Sequence, residues 1–307
     1  MDDAGHLPVL LDEVLELLVP ALRRQDSTDG KRVIVDCTVG CGGHAQALLE
    51  ASAGKAMLIG IDLDESALLK TKQRLTEFAE NVRLFQANFS EVRTVMDEAG
   101  VKLADVLLAD LGVSSAQLQD ASRGFSFQVD GPLDMRMSSS GPTAADIVNK
   151  LSQKELADLI YAYSQERFSR EIAAAIIRAR KAAPITRTTQ LAEIVTKVIA
   201  RKSPRRRWRI HPATRTFQAL RIAVNKELEN LSKLLEVLPS LLCIGGRAAI
   251  ISFHSLEDRL VKRAFSSMVS RGTHLLLTKK PVRPSPDEIR VNPRSRSARL
   301  RCVERIK

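Results

Sequence analysis

An acid followed by a glycine-rich bend, Asp36-Cys37-Thr38-Val39-Gly40-Cys41-Gly42-Gly43-His44, and a second acid 26 residues further on, Asp62, have the types and spacing to hold a nucleoside. Glycines at 40, 42 and 43 let backbone approach a ligand closely and adopt positive φ where a Cβ would clash. Asp62 closes a second apolar run, where a carboxylate can accept hydrogen bonds from both ribose hydroxyls. Either a dinucleotide or S-adenosylmethionine satisfies this pattern. The full G-x-G-x-x-G fingerprint is not met, because Ala45 stands at the third glycine position. Asp36 separates the two further: it can orient the bend and face the amino-acid end of S-adenosylmethionine, whereas its charge would repel a pyrophosphate. An aspartate that only caps the turn would look the same in sequence.

These residues need a parallel sheet to position them, and the chain supplies the pattern. From Lys31, short β-branched runs alternate with amphipathic stretches, as in βαβ units. The runs 32–36, 57–62, 82–85 and 104–110 read as four strands, the first leading through the bend into a helix from about His44 and the second into a helix over 65–78. After the fourth strand, 122–142 is polar and rich in Gly and Ser. Helical periodicity follows over 144–163, 166–181 and 188–201, with Thr143 and Ser152 as N-caps and Pro184 as a break. Leu220, Val224, Leu228, Leu231, Leu235, Leu238 and Leu242 predict one long buried stripe, ended by Gly245-Gly246. Strand five is expected over 247–253, and the runs 274–278 and 298–303 as a closing hairpin. The expected division is 1–118 as the first part of the sheet domain, 119–212 as a helical insertion for substrate recognition, and 213–307 as the second part.

The net charge of +11 is concentrated: residues 201–215 and 290–307 hold fourteen of the 47 bases and only one of the 36 acids. A polyanionic partner is the simplest reason for that placement. Arg205-Arg206-Arg207-Trp208-Arg209 joins phosphate-binding charge to a ring that can stack on an unpaired base, a combination suited to RNA; a solvated basic tail is the competing explanation. Four cysteines include one close pair, so no metal site is expected. The acidic N-terminus and the lack of an apolar run of membrane-spanning length predict a cytoplasmic protein.

Further stretches resemble the successive motifs of the RsmH (MraW) family of bacterial 16S rRNA cytosine-N4 methyltransferases. They are 36–44, Gly60-Ile61-Asp62, Asn88-Phe89-Ser90, 109–118, Gly131-Pro132-Leu133-Asp134-Met135-Arg136-Met137, Glu166-Arg167-Phe168-Ser169, 211–221, 252–259 and Asn292-Pro293-Arg294-Ser295-Arg296-Ser297-Ala298. The similarity runs from His6 to the C-terminus. It implies an α/β, Rossmann-like class I fold with a seven-stranded, mostly parallel sheet and an inserted all-helical domain. It also implies S-adenosyl-L-methionine as cofactor, contacted by Gly42, Gly43, His44, Asp62, Phe89, Asp110 and Gln117, and a decoding-centre cytidine of 16S rRNA, in the small ribosomal subunit, as target. Cys41 departs from the family's usual glycine. No membrane or DNA partner is expected, and homodimerisation is left open.

In-line attack by the N4 amine needs an acceptor for its N–H, and Asp110 is the candidate catalytic residue. Many amine-directed nucleic-acid methyltransferases follow this acid with prolines and an aromatic; here Leu111-Gly112-Val113-Ser114 follows, so a stacking ring must come from elsewhere, with Phe125, Phe127, Trp208, Phe253 and His254 available. The RNA contacts expected are Arg205, Arg206, Arg207, Trp208, Arg209, Arg294 and Arg296. Competing readings are an RNA-binding assembly factor with a vestigial fold and a methyltransferase acting on a protein or small molecule. A His254, Ser255 and Asp258 hydrolase is disfavoured, since no nucleophile elbow is present.

Overall fold

A computed structural model describes residues 8–24, 31–138, 140–203 and 210–307. The strands are β1 (Val33–Asp36), β2 (Met57–Asp62), β3 (Val82–Gln86), β4 (Ala104–Asp110), β5 (Leu242–Ser252), β6 (His274–Leu276) and β7 (Arg299–Arg305). Helices are α1 (Leu11–Leu22), α2 (Gly43–Ala51), α3 (Glu65–Arg74), α4 (Val92–Glu98), α5 (Ser115–Gln119), α6 (Ala144–Lys150), α7 (Gln153–Ser164), α8 (Ser169–Arg180), α9 (Thr188–Lys202), α10 (Thr214–Asn225), α11 (Glu227–Leu241), α12 (Ser255–Ser270) and α13 (Pro286–Val291). The chain divides into two compact units, Met1–Gly112 with Leu228–Lys307, and Val113–Glu227. Among the described residues no helix is long and apolar enough to cross a membrane.

The first unit is built on a sheet of order β3-β2-β1-β4-β5-β7-β6. The pairs from β3 to β5 are parallel, and β7 runs antiparallel to β5 and β6. Successive residues of the central strands serve opposite faces, as the two-residue period requires. Val35, Ile59, Ile61, Leu107 and Ile250 pack with Met96, Leu234, Leu238 and Phe265 on one face. Ile34, Leu58, Val106, Leu108 and Ile251 pack with Leu18, Leu48 and Leu75 on the other. A parallel sheet covered on both sides needs continuous apolar strands, and β4 is buried from Ala104 to Ala109. Strand order reverses between β1 and β4, which opens a crevice at their C-terminal ends.

Two local expectations are corrected. The leucine stripe over 220–242 is two helices, because Lys226 takes a left-handed conformation (φ 50°) that caps α10 before α11 begins. Gly245 and Gly246 do not end that helix but lie inside β5, where the register against β4 shifts between Ala104 and Val106.

In the second unit α6 to α10 pack around Val148, Leu156, Ile160, Ile172, Ile176, Leu191, Val195 and Leu220. Thr143 and Ser152 each cap a helix through a capping box, the first with Asp146 and the second with Glu155. The Gly131–Met137 motif ties this unit together. The Leu133 N–H donates to the Thr186 carbonyl (2.8 Å), its own carbonyl accepts from Ala145, and Asn225 bridges the backbone of Met135 and Met137. The unit extends from Val113 to Glu227, and within it α10 packs against α6 and α7; the sequence-based divisions fall at 118/119 and 212/213.

Candidate cofactor and catalytic site

Three carboxylates sit at the C-terminal ends of neighbouring parallel strands: Asp36 on β1, Asp62 on β2 and Asp110 on β4. The bend after β1 joins them. Asp36 Oδ1 accepts the Thr38 N–H (3.1 Å), and the Thr38 hydroxyl oxygen accepts the Asp110 backbone N–H (2.7 Å). The Gly40 N–H donates to Asp62 Oδ2 and the Asp64 N–H to Asp62 Oδ1, both at 2.9 Å. A carboxylate has about four lone-pair sites, so Asp62 keeps capacity for a ribose hydroxyl beyond its backbone donors.

Part of the glycine requirement in the bend is internal. Gly42 caps α2 at φ +80°, where a side chain is strained, and a Cβ there would stand 3.1 Å from the Thr71 methyl. The Thr71 hydroxyl donates to the Gly40 carbonyl (2.6 Å), so α3 braces the loop from behind. A Cβ on Gly43 would come within 2.6 Å of the Pro8 ring.

His44 is buried, with Nε2 2.9 Å from the Val9 carbonyl and Nδ1 3.9 Å from Asp110 Oδ2. A carbonyl only accepts, so Nε2 carries the hydrogen. Asp110 Oδ1 is buried with no hydrogen-bond partner among the described residues. A buried acceptor left without a donor costs about 1–3 kcal/mol, unless a ligand supplies one. Burial and the neighbouring charges of Asp36 and Glu257 push the Asp110 carboxyl well above the usual carboxylate range. Burial, together with Asp62, pushes Asp36 up to about 7, although the Thr38 N–H opposes the shift. Burial also raises Asp62 against the pull of its backbone donors. A pyrophosphate would add negative charge to this cluster. A ligand bearing an ammonium and a sulfonium would relieve it, so the residues fit S-adenosylmethionine.

Phe89 follows β3 in a short 3-10 turn and packs half-buried against the core face shared by β1, β2 and β4. Gln117 lies on α5 in the helical unit, where its Oε1 accepts the Ser114 N–H (3.1 Å). Arg294 and Arg296 are exposed on a 3-10 turn before β7. Arg205, Arg206, Arg207, Trp208 and Arg209 lie outside the described residues. Of the candidate rings, Phe125 is buried in the helical core, and Phe253 packs against Gly112. His254 caps α12, and Asp258 is held by Arg299 and Arg301, so the two have structural tasks in place of a hydrolytic triad. Thr38, Thr71 and Glu257 were not singled out in the sequence. Thr38 stands inside the motif, whereas nothing local marks Thr71 or Glu257.

The strand order, the glycine bend and the three strand-end acids define a class I S-adenosylmethionine-dependent methyltransferase. The chain belongs to the MraW methylase family, which matches residues 3–306. It is 45% identical to the ribosomal RNA small subunit methyltransferase H of Geotalea uraniireducens (strain Rf4), with all of both chains covered. It is 46% identical to the protein of that name from Syntrophobacter fumaroxidans (strain DSM 10017 / MPOB), over 98% of this chain and 96% of that one. The one from Kosmotoga olearia (strain ATCC BAA-1733 / DSM 21960 / TBF 19.5.1) is also 46% identical, over 98% of each.

Proposed function

We propose that this protein methylates the exocyclic N4 amine of a decoding-centre cytidine in 16S rRNA, in the small ribosomal subunit, and therefore works in the cytoplasm. The names of its full-length relatives support small-subunit rRNA as substrate. The observation that carries the chemistry is the buried Asp110 oxygen that has no donor among the described residues. S-adenosylmethionine, when bound, supplies an electrophilic methyl group on a cationic sulfur.

The chain's residues do the rest. The N4 lone pair is conjugated with the cytosine ring, so the nitrogen must pyramidalise in line with the methyl, and holding that alignment can supply on the order of 7–11 kcal/mol. Asp110 accepts the N4–H and stabilises the positive charge that grows on nitrogen. Asp62 holds the ribose, Gly42, Gly43 and His44 offer backbone to the amino-acid end, Phe89 packs on adenine, and Gln117 adds a polar contact. The helical unit recognises the RNA. Arg294 and Arg296, with Arg205, Arg206, Arg207, Trp208 and Arg209, hold its backbone and unpaired bases.

Labelled-methyl transfer to small subunits and to deproteinised rRNA tests this reading. Wild-type protein is expected to label one cytidine. Asp110→Asn is expected to lower the single-turnover rate more than tenfold while the unfolding midpoint is kept, because the amide is close in shape to the carboxyl it replaces. No label on either substrate would overturn the substrate assignment, and equal rates for both proteins would remove Asp110 from the chemistry.

A further inference from the structure

Within the helical unit a groove of about 360 Å³ is lined by Phe127, Thr189, Ala192, Glu193, Thr196, Lys197 and His211. That volume sits at the lower end of the range that takes small ligands, and it suits one nucleoside better than a longer segment. One wall is a single flank of α9, since 189, 192, 193, 196 and 197 recur at helical spacing. The helix turns its apolar side, Leu191, Val195 and Ile199, into the core. The other wall is aromatic. The Phe127 and His211 rings lie 4.5 Å apart at 30°, and Phe217, buried beneath, meets Phe127 edge-on at 4.8 Å. His211 Nδ1 accepts the Ala213 N–H (3.2 Å), which fixes the orientation of an exposed imidazole.

We infer that this groove is a subsite for an unpaired nucleobase of the RNA substrate, stacked on the His211 ring that Phe127 backs, and read by the polar flank of α9. This rests on the reading of RNA as substrate. Base stacking needs an exposed ring held in place, which His211 provides, and stacking tolerates any base. The flank adds selectivity. Glu193 can accept from an exocyclic amine, Lys197, 3.3 Å from it, can donate to a ring carbonyl or phosphate, the Thr196 hydroxyl can do both, and the Thr189 hydroxyl, which donates to Asp130 Oδ1 (2.6 Å), can accept. Every lining residue belongs to the helical unit, and none comes from the unit that carries Asp110.

Three full-length variants test the inference: His211→Ala, which removes the stacking face, His211→Phe, which restores one, and Thr196→Met, which fills the groove from the helix side without adding charge. The readouts are affinity for a small-subunit rRNA transcript at fixed salt, the KM for that RNA, and calorimetric affinity for S-adenosylhomocysteine. His211→Ala and Thr196→Met are expected to weaken RNA binding and raise KM about tenfold, the scale of one lost base stack. His211→Phe should stay near wild type, and S-adenosylhomocysteine should bind all four proteins alike. If wild type binds the transcript and Thr196→Met and His211→Ala bind it equally well, the groove is not a base site although RNA remains the substrate. If wild type neither binds nor methylates RNA, the substrate reading itself fails. If His211→Ala unfolds, Thr196→Met alone decides.

Discussion

Asp36 shows how a single buried carboxyl couples this fold to pH. Its unfolded value is near 3.8 and its folded value about 7, so between those pH values the native state holds a proton that the unfolded chain has released. Stability therefore falls as pH rises through this window, and the loss is complete above the folded value. Asp36→Asn is expected to raise the melting temperature of the cofactor-free protein at pH 8 and to change it little near pH 4. Its amide oxygen can still accept the Thr38 N–H. Calorimetric melts across pH check this, and an equal shift at both ends would mean that Asp36 is ionised throughout. The identity of Asp36, Asp62 and Asp110 as strand-end acids is readable from the chain, because each closes an apolar run. Their electrostatic state is not, because it depends on neighbours such as Glu257, far away in sequence.

Elements were legible where their signals are local. The caps at Thr143 and Ser152 stand in the sequence as hydroxyl residues with an acid three positions on, and both form capping boxes. The break at Lys226 was hidden, since a lysine in a left-handed turn leaves the leucine spacing on either side intact. Gly131 belongs to the same class of hidden constraint: a Cβ there would lie 1.9 Å from the Ala121 carbonyl oxygen, a backbone atom that cannot swing aside. Gly131→Ala should therefore destabilise the helical unit by about 1–3 kcal/mol. Denaturant unfolding followed by a probe in that unit measures the effect, and an unchanged midpoint would show that the loop at 121–131 has room to yield.

At the scale of the whole molecule, charge is the property that reaches furthest. Arg294 and Arg296 are exposed, so the contribution proposed for them in binding a polyanion is long-range, additive and sensitive to salt. Arg294→Glu with Arg296→Glu is expected to lower rRNA affinity and flatten its dependence on salt concentration, with S-adenosylhomocysteine affinity unchanged. Identical salt slopes for the variant and wild type would take these residues out of the interface. The chain by itself determined the strands, the glycine bend, the acids that close β1, β2 and β4, and the placement of positive charge, because each is written in neighbouring residues and a fixed period. Tertiary structure alone decided that Thr38 ties Asp110 across 72 positions, that Val9 sets the tautomer of His44 across 35, and that Phe127 and His211 share a groove. Those contacts join residues whose spacing in the chain carries no period, and they exist only once packing has excluded water from between them.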